Sequence, residues 1–216
     1  MANAETAFGL RPVGLVGSGV NSTGVTEYEI ASDNTNAIFQ YGLVTPAAAG
    51  VIDYAGATDG GTTAALGVLM GIQYQDSVQK KPVWLNYWPG SGSVSVDTNY
   101  PVKAYVADNP DQLFVVAADA TLTDRATALA GVFANASLGT SARTGTTANG
   151  RSDSQLSVSS IATTATLPLR IVGLVDDVAN SDYAAAGAHL LVRINAHFNA
   201  ATRRFDSQTT ADSTGV

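Results

Sequence analysis

Residues 167–198 read LPLRIVGLVDDVANSDYAAAGAHLLVRINAHF, and this stretch decides the fold. Its last third alternates without a break. Leu190, Val192, Ile194, Ala196 and Phe198 share one face, while Leu191, Arg193, Asn195 and His197 share the other. A period of two belongs to a half-buried strand, because successive side chains of extended backbone point to opposite sides. The first third, 169–175, is apolar on both faces except at Arg170 and Gly173, which predicts a central strand covered on both sides. Between them the polar segment 176–187 carries Asp176, Asp177, Asn180, Ser181 and Asp182. It is long enough to leave the sheet and return as a surface connection.

The same pattern repeats outward from this stretch. Strands are predicted over 25–30, 37–44, 66–74, 83–88, 102–107, 112–118 and 156–161, with a short one near 51–54 inside an Ala/Gly/Asp loop. Asp33-Asn34-Thr35-Asn36 marks a turn. In 66–74 the alternation puts Leu66, Val68, Met70, Ile72 and Tyr74 on one face and Gly67 and Gly71 on the other, where another backbone can approach closely. Asp108-Asn109-Pro110-Asp111, between two apolar strands, is the strongest local hairpin signal. Residues 122–130 form the one helix predicted, with Thr121 or Thr123 as cap and Gly131 as stop. LGVLMGIQY and LRIVGLVDD echo each other through a glycine step inside an apolar strand.

The fold class that follows is all-β, an antiparallel barrel or sandwich with long loops. Residues 1–24 read as an extended arm, suited to dock on a neighbouring subunit or on its own core. Residues 25–198 form the β-rich domain, with room for two β subdomains divided near 120–155, and 199–216 form a polar tail. Within the domain, 134–154 lacks apolar periodicity. A loop of that length is expected to order against a partner or stay mobile.

The chain has 216 residues, a net charge of −7, 13% charged residues and no cysteine. The acidic balance and scattered basic residues argue against nucleic-acid binding. Without cysteine there are neither disulfides nor thiolate metal sites, so stability must come from packing, hydrogen bonds or association. No secretory signal or membrane-spanning run is visible. Asn21 and Asn135 head Asn-X-Ser/Thr triplets of the kind that arise by chance.

Catalytic, cofactor and metal signals are weak. Gly14, Gly17 and Gly19 have the wrong spacing for a phosphate-binding fingerprint. His189 and His197 bracket the last strand on one face, too far apart to share a metal ion, and read as surface or interface histidines. The pairs Asp176/Asp177 and Asp108/Asp111 sit where aspartates form turns, and no G-x-S-x-G elbow accompanies the many serines. The expectation is a non-enzyme with no cofactor and no metal. The cluster Trp84, Tyr87 and Trp88 is open to two readings, a core plug or an aromatic sugar-binding platform.

The opening MANAETAFGLRPV, the middle LGVLMGIQY with NYWPG, the segment VKAYVADNPDQLFVV, the loop TGTTANGRS, and the closing TATLPLRIVGLVD with LLVRINAH lie in that order along most of the chain. Together they resemble a group of small virion proteins of tailed bacteriophages, familiar from marine and cyanobacterial phages and regarded as capsid decoration, or cement, proteins. The resemblance implies a protein made in the bacterial cytoplasm that sits on the outer capsid surface as a homotrimer. It would bind the major capsid protein there, touching neither nucleic acid nor membrane. Other virion roles, in the tail or in head completion, and a carbohydrate-binding or adhesin module are the alternatives. Matched motif by motif, the contact candidates are Phe8, Arg11 and Pro12 in the arm, Trp84, Tyr87 and Trp88 in the aromatic strand, and Arg143 and Arg151 in the long loop. The chain departs from the group at Gly14, where a basic residue is common, which weakens an electrostatic role for the arm.

Overall fold

A computed structural model describes residues 2–5, 7–18, 24–56, 64–139 and 144–200. The described strands are β1 (Arg11–Leu15), β2 (Thr26–Ile30), β3 (Leu43–Pro46), β4 (Ile52–Tyr54), β5 (Gly67–Gln75), β6 (Pro82–Leu85), β7 (Val102–Ala107), β8 (Gln112–Ala117), β9 (Asn135–Ala136), β10 (Gly145–Thr146), β11 (Arg151–Ser152), β12 (Leu169–Leu174) and β13 (His189–Ile194). One α-helix, α1 (Arg125–Ala130), is described with them. The fold is mainly β, as the alternation predicts.

Strands β3, β4, β2, β7 and β5 form a closed ring, because β5 pairs back onto β3, and β6 is added to β5 as a free edge. All of these pairings are antiparallel except a single parallel step from β2 to β4. Closure removes most of the sheet edges that would otherwise invite aggregation. The barrel is filled by Ile30, Val44, Ile52, Leu69, Ile72, Val102, Ala104 and Val106 and closed by Ile38, Tyr74 and Trp88. The second unit is an antiparallel sheet in the order β1-β8-β13-β12-β9. Residues 167–198 supply two of its strands, β12 and β13, and the 175–188 connection joins them as a long hairpin.

The Asp108–Asp111 turn is present but makes no hairpin. The Gln112 amide donates to the Asn109 carbonyl at 3.0 Å, and the Asp111 amide donates to Asn109 Oδ1 at 2.9 Å. Yet β7 pairs with β2 and β5, whereas β8 pairs with β1 and β13. Proline at the second position fixes a common-type turn whose twist splays the flanking strands, so the chain passes here from the barrel to the second sheet.

Each of three strand pairs shifts register beside a glycine: β1–β8 at Pro12/Gly14, β5–β7 at Leu69/Gly71 and β12–β13 at Ile171/Gly173. A bulge adds one residue and inverts the faces beyond it. Strand β5 therefore buries Leu69, Ile72 and Tyr74 in the barrel while Val68 faces the other core and Met70 is only half-buried, which corrects the simple alternation expected for 66–74. The echo between LGVLMGIQY and LRIVGLVDD is thus a shared bulge, with an inward apolar residue, one extra residue, glycine and a further inward apolar residue. The close approach expected at Gly67 is present, since a Cβ there would strike the Ala107 carbonyl oxygen.

Four other expectations change. Residues 37–44 are not one strand: Tyr41 adopts φ 64°, and Ile38 and Gln40 make single bridges to Trp88 and Arg151 before β3 begins. Residues 156–161 give only isolated bridges from Leu156, to Ala118 and Leu138, and then a 3-10 turn over Val158–Ser160, turned by Asp119 Oδ1 accepting from the Val158 amide at 2.9 Å. The helix starts later than predicted, because Asp124 and not a threonine is the cap; its Oδ1 accepts from the Thr127 amide at 2.7 Å, and Gly131 is the C-cap. The described parts of 134–154 order on the chain itself, with Gln40 bonding Gly150 and Ser152 through backbone groups at 2.9 Å each.

Candidate functional site

The arm is bound to its own domain. Asn3 and Asn180, both buried, hold it by their carboxamides. Asn180 Oδ1 accepts from the Ala4 and Glu5 amides at 3.0 and 2.8 Å. Asn3 Nδ2 donates to the Ala186 carbonyl at 2.8 Å and to the Asp182 carbonyl at 3.0 Å, while its Oδ1 accepts from the Asp182 amide at 3.0 Å. The 176–187 connection is therefore a socket for the N-terminal segment as well as a surface loop. Beyond the socket, Phe8 is 2% exposed and packs with Val115 and Ala117 on the sheet face opposite the main core.

Three of the contact candidates converge there. Glu5 accepts from Arg11 Nη1 at 3.2 Å and faces Arg151 Nη2 at 3.7 Å, and the Arg11 guanidinium lies 4.6 Å from the Phe8 ring centroid. Phe8, Arg11 and Arg151 thus form an internal clamp joining the arm to the 151 loop. Pro12 lies on β1, an edge strand of the sheet, where its missing N–H leaves no ladder bond unmade. Arg143 lies outside the described residues.

Both histidines are buried, at 1% exposure each, which corrects their reading as surface residues. His189 Nε2 donates to the Glu5 carbonyl at 3.1 Å, and its ring meets Phe8 edge-on with centroids 5.0 Å apart. Strand β13 ends at Ile194, so the phase is lost before His197, which turns inward while Phe198 turns out. His197 Nδ1 accepts from the Asn199 amide at 3.1 Å, and its Nε2 has no hydrogen-bond partner among the described residues. Burial pushes its pKa down to about 4, with nearby Asp108 opposing the shift and Arg193 adding to it.

The aspartate pairs are structural. Asp108 accepts from Tyr28 Oη at 2.7 Å and Thr26 Oγ1 at 2.8 Å, fastening the crossover to β2. Asp177 accepts from the Ala179 amide and Asn180 Nδ2 at 2.9 and 3.0 Å; the Asn180 bond, then the Ala179 bond, hold its carboxyl below the usual range. Asp176 pairs loosely with Arg125 at 3.7 Å on the surface. Among the described residues no group of three His, Asp or Glu side chains is placed to hold a metal ion, and no helix is long and apolar enough to cross a membrane.

The aromatic cluster divides. Trp88 is wholly buried: its Nε1 donates to the Asn34 carbonyl at 3.1 Å, and its ring meets Tyr74 edge-on. Tyr87 stacks on Phe39 with centroids 5.3 Å apart. Trp84 projects from the outer wall of the barrel, 61% exposed, and stacks on Tyr105 at 5.3 Å and 16°. Trp84 and Trp88 have the same parity, and the end of β6 at Leu85 is what lets them face opposite ways.

A second exposed apolar surface gave no signal in the sequence. Helix α1 and the turn after it lie along β12: the Phe133 amide donates to the Ile171 carbonyl at 2.8 Å, and Arg125 pairs with Asp176 further along. Leu129 and Phe133 are exposed on this margin, Phe133 by 79%. Phe133 has φ 72°, a conformation a bulky side chain rarely adopts. Neither a periodicity nor a motif marks such a residue, because its exposure is set by the helix-to-strand junction.

Comparison of the chain with known protein families, curated proteins and solved structures finds no match in any of the three.

Proposed function

We propose that this chain is a capsid decoration protein of a tailed bacteriophage, a homotrimer that binds the outer surface of the expanded head and bridges neighbouring major capsid subunits. The sequence resemblance suggests the role, and the structural observation that carries it is Phe133, exposed one turn beyond the exposed Leu129 at the end of α1. A large aromatic side chain is held there in a strained backbone conformation with its ring in solvent. Such a residue contributes nothing to the chain's own core, and backbone strain of this kind is kept where the side chain serves a contact outside the chain. The acidic charge suits a position outside the shell, away from packaged DNA.

Function then follows by linkage. A protein that binds only the expanded lattice stabilises that lattice by its binding free energy, and contacts to several subunits at once raise the avidity. The test is the copy number of the protein in purified virions, measured by quantitative mass spectrometry against the major capsid protein. Copies on the scale of the lattice, lost when Phe133→Asp is introduced, are the expected result. A handful per particle points to the tail or neck, and absence from the particle overturns the virion reading.

A further inference from the structure

The outer wall of the barrel around Trp84 carries a second kind of surface. Trp84 on β6, Gln73 on β5 and Lys103 on β7 are cross-strand neighbours, since Gln73 lies opposite both of the others. Tyr105 stacks beneath Trp84 and donates from its hydroxyl to Gln73 Oε1 at 3.2 Å, which fixes both rings and the carboxamide. Gly71 lies opposite Tyr105. With one ring face covered by Tyr105, Trp84 offers the other to solvent. Beside it opens a shallow pocket of about 160 Å³ lined by Gln73, Gln75, Pro82, Tyr100, Pro101 and Lys103. Tyr100 is itself exposed.

We infer that this wall is a binding site for a pyranose ring of a neutral glycan. A fixed indole face matches the C–H face of a sugar, which is apolar and flat. A carboxamide both donates and accepts, as a sugar hydroxyl does, and Gln73 and Gln75 set two of them along one strand beside the ring. Lys103 is already paired with Glu27 at 2.8 Å, and Glu29 lies opposite it on β2, so the local balance disfavours acidic sugars. Proline-rich peptides also stack on tryptophan, but they offer mostly carbonyl acceptors and few donors, which leaves the Gln75 carboxamide oxygen poorly matched. The site is on a different element from the α1 margin, and the inference stands whether or not the protein decorates a capsid.

The chain has two tryptophans, and Trp88 is buried, so a change in emission on adding sugar reports contact at Trp84. Titration of the full-length protein with cellohexaose, maltohexaose and chitohexaose, alongside polygalacturonate and a proline-rich decapeptide, tests the inference. The expected result is saturable change in emission with at least one neutral oligosaccharide at concentrations below about 10 mM, a weak single-site affinity. Trp84→Ala should weaken it by at least roughly tenfold, and Gln75→Ala by a smaller factor, with thermal unfolding unchanged in both. Saturation transfer NMR on the same variants gives a readout independent of the indole. No binding by any neutral sugar, binding unaltered in Trp84→Ala, or binding of the decapeptide or polygalacturonate alone would each overturn it.

Discussion

His197 is the residue whose burial has the clearest consequence. Its ring is neutral in the fold, with a pKa near 4 against 6.5 in water. Above pH 6.5 neither state binds the proton and there is no penalty. As pH falls from 6.5 toward 4 the unfolded chain takes up a proton that the folded chain refuses, and stability declines by up to about 3 kcal/mol before levelling off. Carboxylates with lowered values, such as Asp97 and Asp124, lose their contribution only below their ordinary value of 3.8, so the two windows separate. Denaturant midpoints taken across this range should fall for the native chain and stay nearly flat for His197→Gln. An equal fall in both would show that His197 is not the group responsible. The sequence places His197 on a strand face with Leu191 and Arg193, but the strand ends three residues earlier, and only the bridge from His197 to Ala65 shows where the ring goes.

At the level of elements, the arm depends on two carboxamides. Asn180 satisfies two backbone donors that would otherwise be orphaned, so Asn180→Ala should cost about 1–3 kcal/mol. Limited proteolysis should then cut first in residues 2–10, releasing a short N-terminal peptide and exposing the Phe8 face of the sheet. Retention of an intact arm under those conditions would show that Phe8 and the Arg11–Glu5–Arg151 clamp suffice. Both readings of the arm were open in the sequence, because FGLRP binds as well to another chain as to its own. What settles them is the depth of the site, since β8 buries Val115 and Ala117 on the side away from the main core and needs a cover. The turn at 108–111 teaches the same lesson: its residues specify a turn, while strand partners are chosen by sheets whose other members lie far along the chain.

For the whole molecule, the barrel lends side chains to the core of the five-stranded sheet while keeping a filling of its own. Leu43, Ala55, Ala65 and Val68, from the barrel strands and their connections, pack in the same cluster as Phe114, Val116, Leu190 and Val192 of the sheet. Neither unit can lose its packing without exposing the other. Calorimetry should therefore show one transition, with calorimetric and van't Hoff enthalpies equal. Leu43→Ala, at a fully buried position, should lower stability by about 2–5 kcal/mol without splitting that transition. Two resolved transitions would mean that the units fold separately.

The sequence by itself determined that the chain is a β protein. Alternation in 190–194 and the doubly apolar runs of β8 and β12 follow from the pleat, a local property that any chain with this pattern must obey. Gly71 and Gly173 were legible as interruptions of apolar strands, though not as bulges, and Gly14 carried no such signal. Tertiary structure alone decided that the strands divide between a closed barrel and a second sheet, that the arm is internal, that both histidines are buried, and that Trp84 faces out while Trp88 faces in. Those outcomes depend on pairing and burial between residues distant in sequence, and their energies reside in contacts that no local pattern encodes. The exposed aromatic residues make the point most sharply. Trp84 and Trp88 differ only in which side of a strand end they occupy, and Phe133 is exposed because of a junction built from α1 and β12.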